Sequence, residues 1–549
     1  MVLCWTTDKE YFPMSNTKKK TAEDEDVVST AIGEFGRWQL LMTFLLSLFN
    51  IPCTWHIFVP TFHAAERDMW CARTEGFMDV EPSLWKNYTQ PEGLCKIYDL
   101  TGITQDDLPY LAAKNKELVS CTEWEFEGEG NTIISEFDLV CDRKTLNNIS
   151  EMMFLGGVAI GGLVCGILSD KYGRKRTLMA SVLLQTILGV VISFAPWFQM
   201  YFILRAALGF ISVSVVFSGF VLSIELVGGN WRTVAGISYL FPVSLSYMII
   251  AGMGWLLRDW RQLQLAISLP GFIFLILWWV LPESPRWLLA MGRTNEVMII
   301  LQKAAKWNRK ELPVNIDKQL LPCETECDTE SVNVMDLFKT RQMRKKTLLL
   351  FVIWFSVYLV YYGLVLNLGN IGGDLYINSV LSGAVEIPAV ALSIVILLKG
   401  GRRWPLGLTM MLSGVACACT VPIDLVSHNL QWIITTLAMI SRFSISSSNA
   451  IMPVFTAELY PTIIRNIGVG ASNVSAGIAL MLVPYLWEMA NIHQCVPMSI
   501  IAGCGIIGGI CVLFLPETGS GPLKDTIKEA ECESRSSDSS EIKRINNNS

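Results

Sequence analysis

Apolar positions in this chain fall into long, nearly unbroken runs separated by short charged stretches. Crossing a hydrocarbon core of about 30 Å takes about 20 residues of helix. Runs near 38–60, 150–169, 177–196, 201–226, 234–256, 263–281, 347–366, 377–398, 406–423, 430–456, 467–486 and 497–515 meet that length. The pattern predicts an all-α membrane protein with twelve transmembrane helices. The polar stretches divide it into a tail (1–34), a six-helix bundle (35–282) containing a long loop (61–149), a linker (283–346), a second six-helix bundle (347–517) and a second tail (518–549).

Cations in the short loops set the orientation, because Lys and Arg accumulate on the cytosolic side. Lys171, Arg174, Lys175 and Arg176 follow the second run, Arg232 the fourth, and Lys399, Arg402 and Arg403 the eighth. Those loops, the linker and both termini are expected in the cytosol of a multi-pass plasma-membrane protein. The loop 61–149 then falls outside. Its Cys71, Cys95, Cys121 and Cys141 are an even set in the compartment where disulfides persist, and suggest two bridges in one of three connectivities. Cys53 is a possible competitor. Asn87-Tyr88-Thr89 is a glycosylation sequon, and Asn148-Ile149-Ser150 a poorer one against the membrane. Glu123, Glu125, Glu127 and Glu129 read as solubilising charges.

Composition narrows the class. Of 549 residues, 52% are hydrophobic and 17% charged, with a mean hydropathy of +0.41, too apolar for a soluble chain of this length. A net charge of -6 without a large basic patch argues against nucleic acid. Met1 to Asp26 is polar, which argues against a cleavable signal peptide. Four scattered histidines, no nucleophile motif and no GxxxxGK[ST] loop argue against an enzyme or an ATP-driven pump. Cys323 and Cys327 lack further ligands for a metal, and no cofactor is implied. The end of the chain, rich in Ser, Glu and Asn, reads as disordered.

The two halves share punctuation. Glu225 and Arg232 recur as Glu458 and Arg465, offset by 233 residues (458 − 225). Pro282-Glu283-Ser284 recurs as Pro516-Glu517-Thr518, offset by 234 (516 − 282), and Gly173-Arg174-Lys175 as Gly401-Arg402-Arg403, offset by 228 (401 − 173). Repeated bundles with a site between them are the frame of alternating access.

These residues resemble the major facilitator superfamily. Gly33-Glu34-Phe35-Gly36-Arg37-Trp38-Gln39, the loop ending Glu136-Phe137-Asp138-Leu139-Val140-Cys141-Asp142, Pro285-Arg286-Trp287-Leu288, and Glu458-Leu459-Tyr460-Pro461-Thr462 with Arg465-Asn466 are similar to its organic cation, organic anion and carnitine transporter family. The resemblance covers about 33–520. Two departures stand out. Leu398 occupies the place of an Asp in the second loop copy, so that lock is expected to be weaker in the second half or to be carried by Glu458 and Glu517. Gly477 occupies a position where the family's cation carriers typically have Asp and its anion and carnitine carriers Arg.

The candidate gating groups are Asp170, Arg174, Glu225, Arg232, Glu283, Arg402, Glu458 and Arg465, at cytosolic span ends where ion pairs can form and separate. For substrate, an ionisable residue inside the bilayer is costly and points to function. Glu386, two residues before Pro388 in the eighth run, is the clearest; the resemblance puts it in the central cavity, where a carboxylate can meet an ammonium group. Arg205 and Arg442 also lie inside runs, Arg205 as a possible brace. Trp354, Tyr358, Tyr361 and Tyr362, followed by Asn367, share a helical face able to hold an ammonium by cation–π attraction. The resemblance favours Trp354, Tyr361 and Tyr362; Phe220, Tyr239 and Asn449 are weaker candidates. The expected activity is transport of small amine-bearing cations or zwitterions, carnitine-like or amino-acid-like. An organic anion countered by Arg442, and a solute receptor that does not transport, are the rivals.

Overall fold

The computed structural model describes residues 27–518 apart from 66, 91–94, 112–116, 129, 230, 314–334, 367–372, 427–430, 461–463 and 494. The tails beyond those bounds, Cys323, Cys327, Asn367, Pro461 and Thr462 lie outside the described residues.

Among the described residues long helical segments follow one another: α1 (Arg37–His63), α2 (Lys144–Tyr172), α3 (Arg174–Ile192), α4 (Phe198–Glu225), α5 (Trp231–Leu256), α6 (Trp260–Trp279), α7 (Arg341–Val365), α8 (Leu375–Lys399), α9 (Arg403–Val426), α10 (Gln431–Leu459), α11 (Arg465–Leu486) and α12 (Val496–Leu513). Among the described residues, 11 helices are long and apolar enough to cross a membrane. The one outside that set is α10, although it has 29 residues. Its middle carries Ser441, Arg442, Ser444, Ser446, Ser447 and Ser448, all buried. Two of these hydroxyls bond the neighbouring α9: Ser441 Oγ meets Ser413 Oγ at 2.8 Å and Ser448 Oγ meets Thr409 Oγ1 at 2.7 Å. Hydroxyls satisfied inside the bundle lower the hydropathy of a helix without exposing a polar group to lipid.

Several helices are broken where the sequence demands it. In α5 the ring of Pro242 follows an irregular turn in which Val243 N–H bonds Leu240 O. That leaves Tyr239 O to accept from Asn50 Nδ2 of α1 at 2.7 Å. In α6 regular α-helix covers Trp260–Ser268, and Pro270 follows it.

Within the first half, α2 and α3 pack on α4 and α1 on α5; within the second, α7 packs on α11 and α12, and α9 on α10 and α12. The halves meet along two helix pairs, α2 with α11 and α5 with α8. Both contacts are close. A Cβ on Gly477 would stand 2.7 Å from Ala159 Cβ, and one on Gly383 2.6 Å from Met248 Cγ. Between the halves run two amphipathic helices, Pro285–Ala290 and Thr294–Asn308.

The segment between α1 and α2 forms a small disulfide-stapled body. β1 (Met69–Cys71) pairs antiparallel with β4 (Trp124–Phe126), and β2 (Lys96–Tyr98) with β3 (Leu118–Ser120). Trp70, Phe77, Trp85, Leu108 and Leu111 form its core. The bridges are Cys71–Cys121 and Cys95–Cys141. Cys53 is no competitor; it is buried in α1 and donates to Gln185 Oε1 at 3.4 Å. Asn87 is exposed, whereas Asn148 Nδ2 donates to Glu488 Oε1 at 2.6 Å, which ties that second sequon to the other half.

Glu125 corrects the reading of the acidic run as solubilising. Its carboxylate accepts from Trp70 Nε1 at 2.8 Å, Arg73 Nε at 2.9 Å and Arg73 N at 3.2 Å. Burial alone would raise its pKa, but these bonds and the Arg73 charge outweigh it and hold the carboxyl below the usual range. A depressed carboxylate adds stability that is present above the unfolded value of about 4.3 and is lost as pH falls through the folded value. Glu125→Gln is therefore expected to lower hydrogen-exchange protection of β1 and β4 severalfold at pH 7. The difference from the parent should shrink as pH falls below the unfolded value and vanish once it is below the folded one.

Candidate functional site

The centre of the second half is built by three helices. α8 starts at Asp374, whose Oδ1 accepts from Tyr376 N at 2.8 Å and Ile377 N at 3.0 Å, and it carries Glu386 inward. α10 brings Arg442 and α7 brings Tyr361. Glu386 Oε2 accepts from Arg442 Nη2 at 3.0 Å, and Oε1 accepts from Tyr361 Oη at 2.7 Å. Arg442 Nε also donates to Ser382 Oγ at 3.1 Å, and its guanidinium lies 3.9 Å from the centre of the Tyr361 ring. Glu386 is 5% exposed and Arg442 2%. Desolvating each ion costs several kcal/mol, and their attraction with good hydrogen bonds offsets it. Glu386 is therefore not the open carboxylate that its position in the eighth run suggests. Nor is Arg442 an isolated cation, although its Nη1 has no partner among the described residues.

Beside this pair runs an aromatic column. Trp354 stacks on Tyr358 at 5.7 Å, Tyr358 on Tyr362 at 5.9 Å, and Tyr362 on Phe58 of α1 at 6.3 Å. Tyr361 meets Tyr362 edge-on at 5.1 Å, which joins column and ion pair. Tyr247 of α5 packs edge-on against Phe58 at 4.8 Å and its Oη donates to Val365 O at 3.3 Å. Trp354 is fixed by its Nε1, which donates to Thr456 Oγ1 at 3.0 Å. Both halves thus contribute to one aromatic wall. Phe220 and Tyr239 belong elsewhere: they meet edge-on at 5.7 Å inside the core of the first half, with Tyr239 Oη donating to Val216 O at 3.2 Å. Asn449 is half-buried on α10.

At the other end of the helices the repeated loops make two parallel clusters. Arg174 reaches Asp170 Oδ1 from Nη2 at 2.8 Å and Glu225 Oε2 from Nε at 3.2 Å. Glu283 Oε1 accepts from Lys175 N at 2.8 Å, closing the first turn of α3. Gly173 sits between at φ 100°, where any side chain would be strained, and an added Cβ would stand 2.6 Å from Glu283 Oε2. In the second half Arg402 Nε meets Glu458 Oε2 at 3.2 Å, and Glu517 Oε1 accepts from Arg402 N at 2.6 Å. Leu398 is exposed, so this copy has no counterpart of Asp170. Arg232 Nε donates to Val227 O at 2.9 Å. Arg465 opens α11.

One cluster escapes sequence reasoning. His56 and His63, two of the four apparently scattered histidines, are each 1% exposed, as is Arg205. Arg205 Nη1 donates to His56 O at 3.0 Å and its guanidinium lies over Phe154 at 4.3 Å. His56 Nδ1, both His63 ring nitrogens, and Arg205 Nε and Nη2 have no partner among the described residues. Glu151 and Tyr201 lie within electrostatic reach of Arg205. The available signal was two histidines seven positions apart (63 − 56), one inside the first apolar run and one just past its end.

Comparison with known proteins agrees with this architecture. The sugar (and other) transporter family matches residues 115–528. An organic cation transporter protein of Drosophila melanogaster is 36% identical over 520 residues, covering 92% of this chain and 94% of its own. Solute carrier family 22 member 13 of Homo sapiens is 34% identical, covering 92% of each, and the human organic cation/carnitine transporter 2 is 31% identical, covering 92% and 94%. The solved inward-open xylose transporter XylE of E. coli has the same fold, with a TM-score of 0.59 at 16% identity over 88% of this chain and 98% of that one. The chain belongs to the organic cation, organic anion and carnitine transporter family of the major facilitator superfamily; its family is one of membrane transporters, not enzymes.

The Glu386–Arg442 geometry sets up a stability test. Glu386→Gln or Arg442→Met alone leaves one buried charge uncompensated, a cost of about 3–5 kcal/mol. Each single variant should melt well below the parent in detergent. The double variant Glu386→Gln/Arg442→Met should recover most of the loss, as read by thermal unfolding of the purified protein.

Proposed function

We propose that this protein carries a small amine-bearing solute, cationic or zwitterionic, across the plasma membrane by alternating access between two bundles of six helices each. In this reading α10 is a span like the others, both termini are cytosolic, and the disulfide-stapled segment is an extracellular cap. The relatives named as organic cation and carnitine transporters support an amine-bearing class.

The observation that carries the reading is the aromatic column joined to a neutral ion pair. Ring faces attract a desolvated ammonium by about 2 kcal/mol or more. The pair adds a constraint on total charge. A bare cation seated on Glu386 displaces Arg442 and leaves it uncompensated, whereas a zwitterion offers an ammonium to Glu386 and a carboxylate to Arg442. Gly477 contributes no charge to shift that balance. The geometry thus favours a zwitterion over a simple cation or an organic anion.

Gating follows from where the halves touch. Polar and aromatic links between them gather at the end bearing the cap: Phe62 stacks on Tyr376 at 5.9 Å, Arg258 lies over Tyr376 at 5.2 Å, and Thr61 Oγ1 donates to Leu366 O at 3.4 Å. The ion-pair clusters around Arg174 and Arg402 each close within one half. This arrangement fits a state shut toward the outside, with the two clusters as latches that rearrange when the opposite side shuts.

Uptake into oocytes of radiolabelled zwitterions, cations and anions tests the proposal, with saturable uptake of a zwitterion bearing a quaternary or primary ammonium as the expected result. Specific binding without uptake, despite surface expression, would overturn it in favour of a receptor. Tyr362→Ala should weaken the apparent affinity for that solute by about tenfold or more, as lost cation–π attraction predicts. Asp170→Asn should slow turnover while leaving substrate binding near the parent value, since the residue lies away from the aromatic column.

A further inference from the structure

A cavity of about 400 Å³ opens where the end of α6, the start of α3 and the linker helix Thr294–Asn308 converge. Four cations line it: Lys175 and Arg176 from α3, and Arg293 and Lys303 from the linker. Its two carboxylates are already engaged, Glu283 by Lys175 N at 2.8 Å and Ser284 N at 3.1 Å, and Glu296 by Arg293. Lys175 stands within electrostatic reach of Glu283, which attracts it, and of Lys303 and Arg176, like charges whose remaining repulsion an anion would relieve.

The rest of the wall is apolar and faces outward. Trp279 is 78% exposed, and Trp278, Ile276 and Ile273 on the same helix are exposed beside it. Lys175 Nζ lies 5.0 Å from the centre of the Trp278 ring. Tryptophan at a helix end marks the depth of lipid headgroups. With these tryptophans at headgroup depth, acyl chains would lie on one side of the cavity and a soluble helix on the other, with its cations level with the phosphates.

We propose that this cavity binds the phosphorylated headgroup of an anionic glycerophospholipid from the cytosolic leaflet, its phosphate among Lys175, Arg176 and Lys303 and its chains along Trp278 and Trp279. The volume suits a serine or inositol headgroup. Occupancy ties the linker helix Thr294–Asn308 to the first turn of α3, next to the Arg174 cluster, so the lipid stabilises one arrangement of the latch. The inference goes beyond solute transport, and its test does not depend on which solute is carried.

The test is native mass spectrometry of the purified full-length protein with phosphatidylserine, phosphatidylinositol 4-phosphate, phosphatidylcholine or inorganic phosphate. Expected is retention of the two anionic lipids over phosphatidylcholine, falling as salt rises. Arg176→Ala/Lys303→Ala alters two exposed side chains and should weaken that retention about 25-fold, at about fivefold per cation, with phosphatidylcholine retention unchanged. Equal retention of phosphatidylcholine, anionic-lipid retention insensitive to both salt and the double substitution, or complete displacement by equimolar inorganic phosphate would each overturn the proposal, the last in favour of a free-anion site.

Discussion

Moving a charge from water into hydrocarbon costs several kcal/mol even after the protein relaxes around it, and the interior of this protein is arranged around that penalty. Glu386 and Arg442 meet at 3.0 Å with Tyr361 and Ser382 taking further positions around them, so α7, α8 and α10 are joined by a unit of no net charge. At the helix ends the same rule binds α2, α3 and α4 through Arg174, and α9 and α10 through Arg402. Each pair joins elements that apolar packing alone would leave free to slide. Apolar side chains gain little by preferring one another over lipid, so directional polar contacts and close-packed small residues set the register of helices.

Small residues handle the interface between the halves, where movement is needed. Gly383 against Met248 and Gly477 against Ala159 let backbones approach without interlocking side chains. Such a surface can part and re-form at low cost, while the ion pairs keep each half rigid. The absence of a charge at Gly477 fits the same scheme, because an ionised side chain there would be forced against Ala159 in the present arrangement. Departure from the family's pattern at this position is thus compatible with tight closure along α2 and α11.

The course of the chain was legible in its sequence because twenty-residue apolar runs have few alternatives in a membrane, and the recurring Gly-Arg, Glu and Pro-Glu punctuation marked the two halves. The ion pairs at the helix ends were legible in part: Arg174 and Glu225, like Arg402 and Glu458, were singled out as charged residues at span ends, and the structure pairs them. Partners across distant helices were not. Glu386 reads as a lone carboxylate until α10 brings Arg442 to it, because the sequence separation of 56 says nothing about which helical faces meet. The same limit hid His56, His63 and Arg205, which only the packing of α1 on α4 brings together. The packing of Phe220 on Tyr239 within the first half was hidden for the converse reason: an aromatic residue on a span is as well used in a core as in a site. Glu125 looked like one of a solvated run, but strand alternation placed it against Trp70 and Arg73.

The central pair also bears on how such a protein chooses a solute. A site with one free carboxylate selects by attraction and holds whatever cation arrives. Here the carboxylate is already matched, so in the proposed site a solute would bind by replacing the partners that the pair provides for itself. Replacement by a molecule carrying both charges keeps the interior neutral at every stage, which lowers the barrier to carrying it through the membrane as well as the cost of binding it. Selection in the proposed site would then rest on the distance between the two charges of the solute and on the apolar body that the rings of Phe58, Tyr362, Tyr358 and Trp354 can cover. Because Phe58 belongs to the first half and the other three to the second, that coverage is complete only when the halves are together, which in the proposed site would link occupancy to closure of the protein around it.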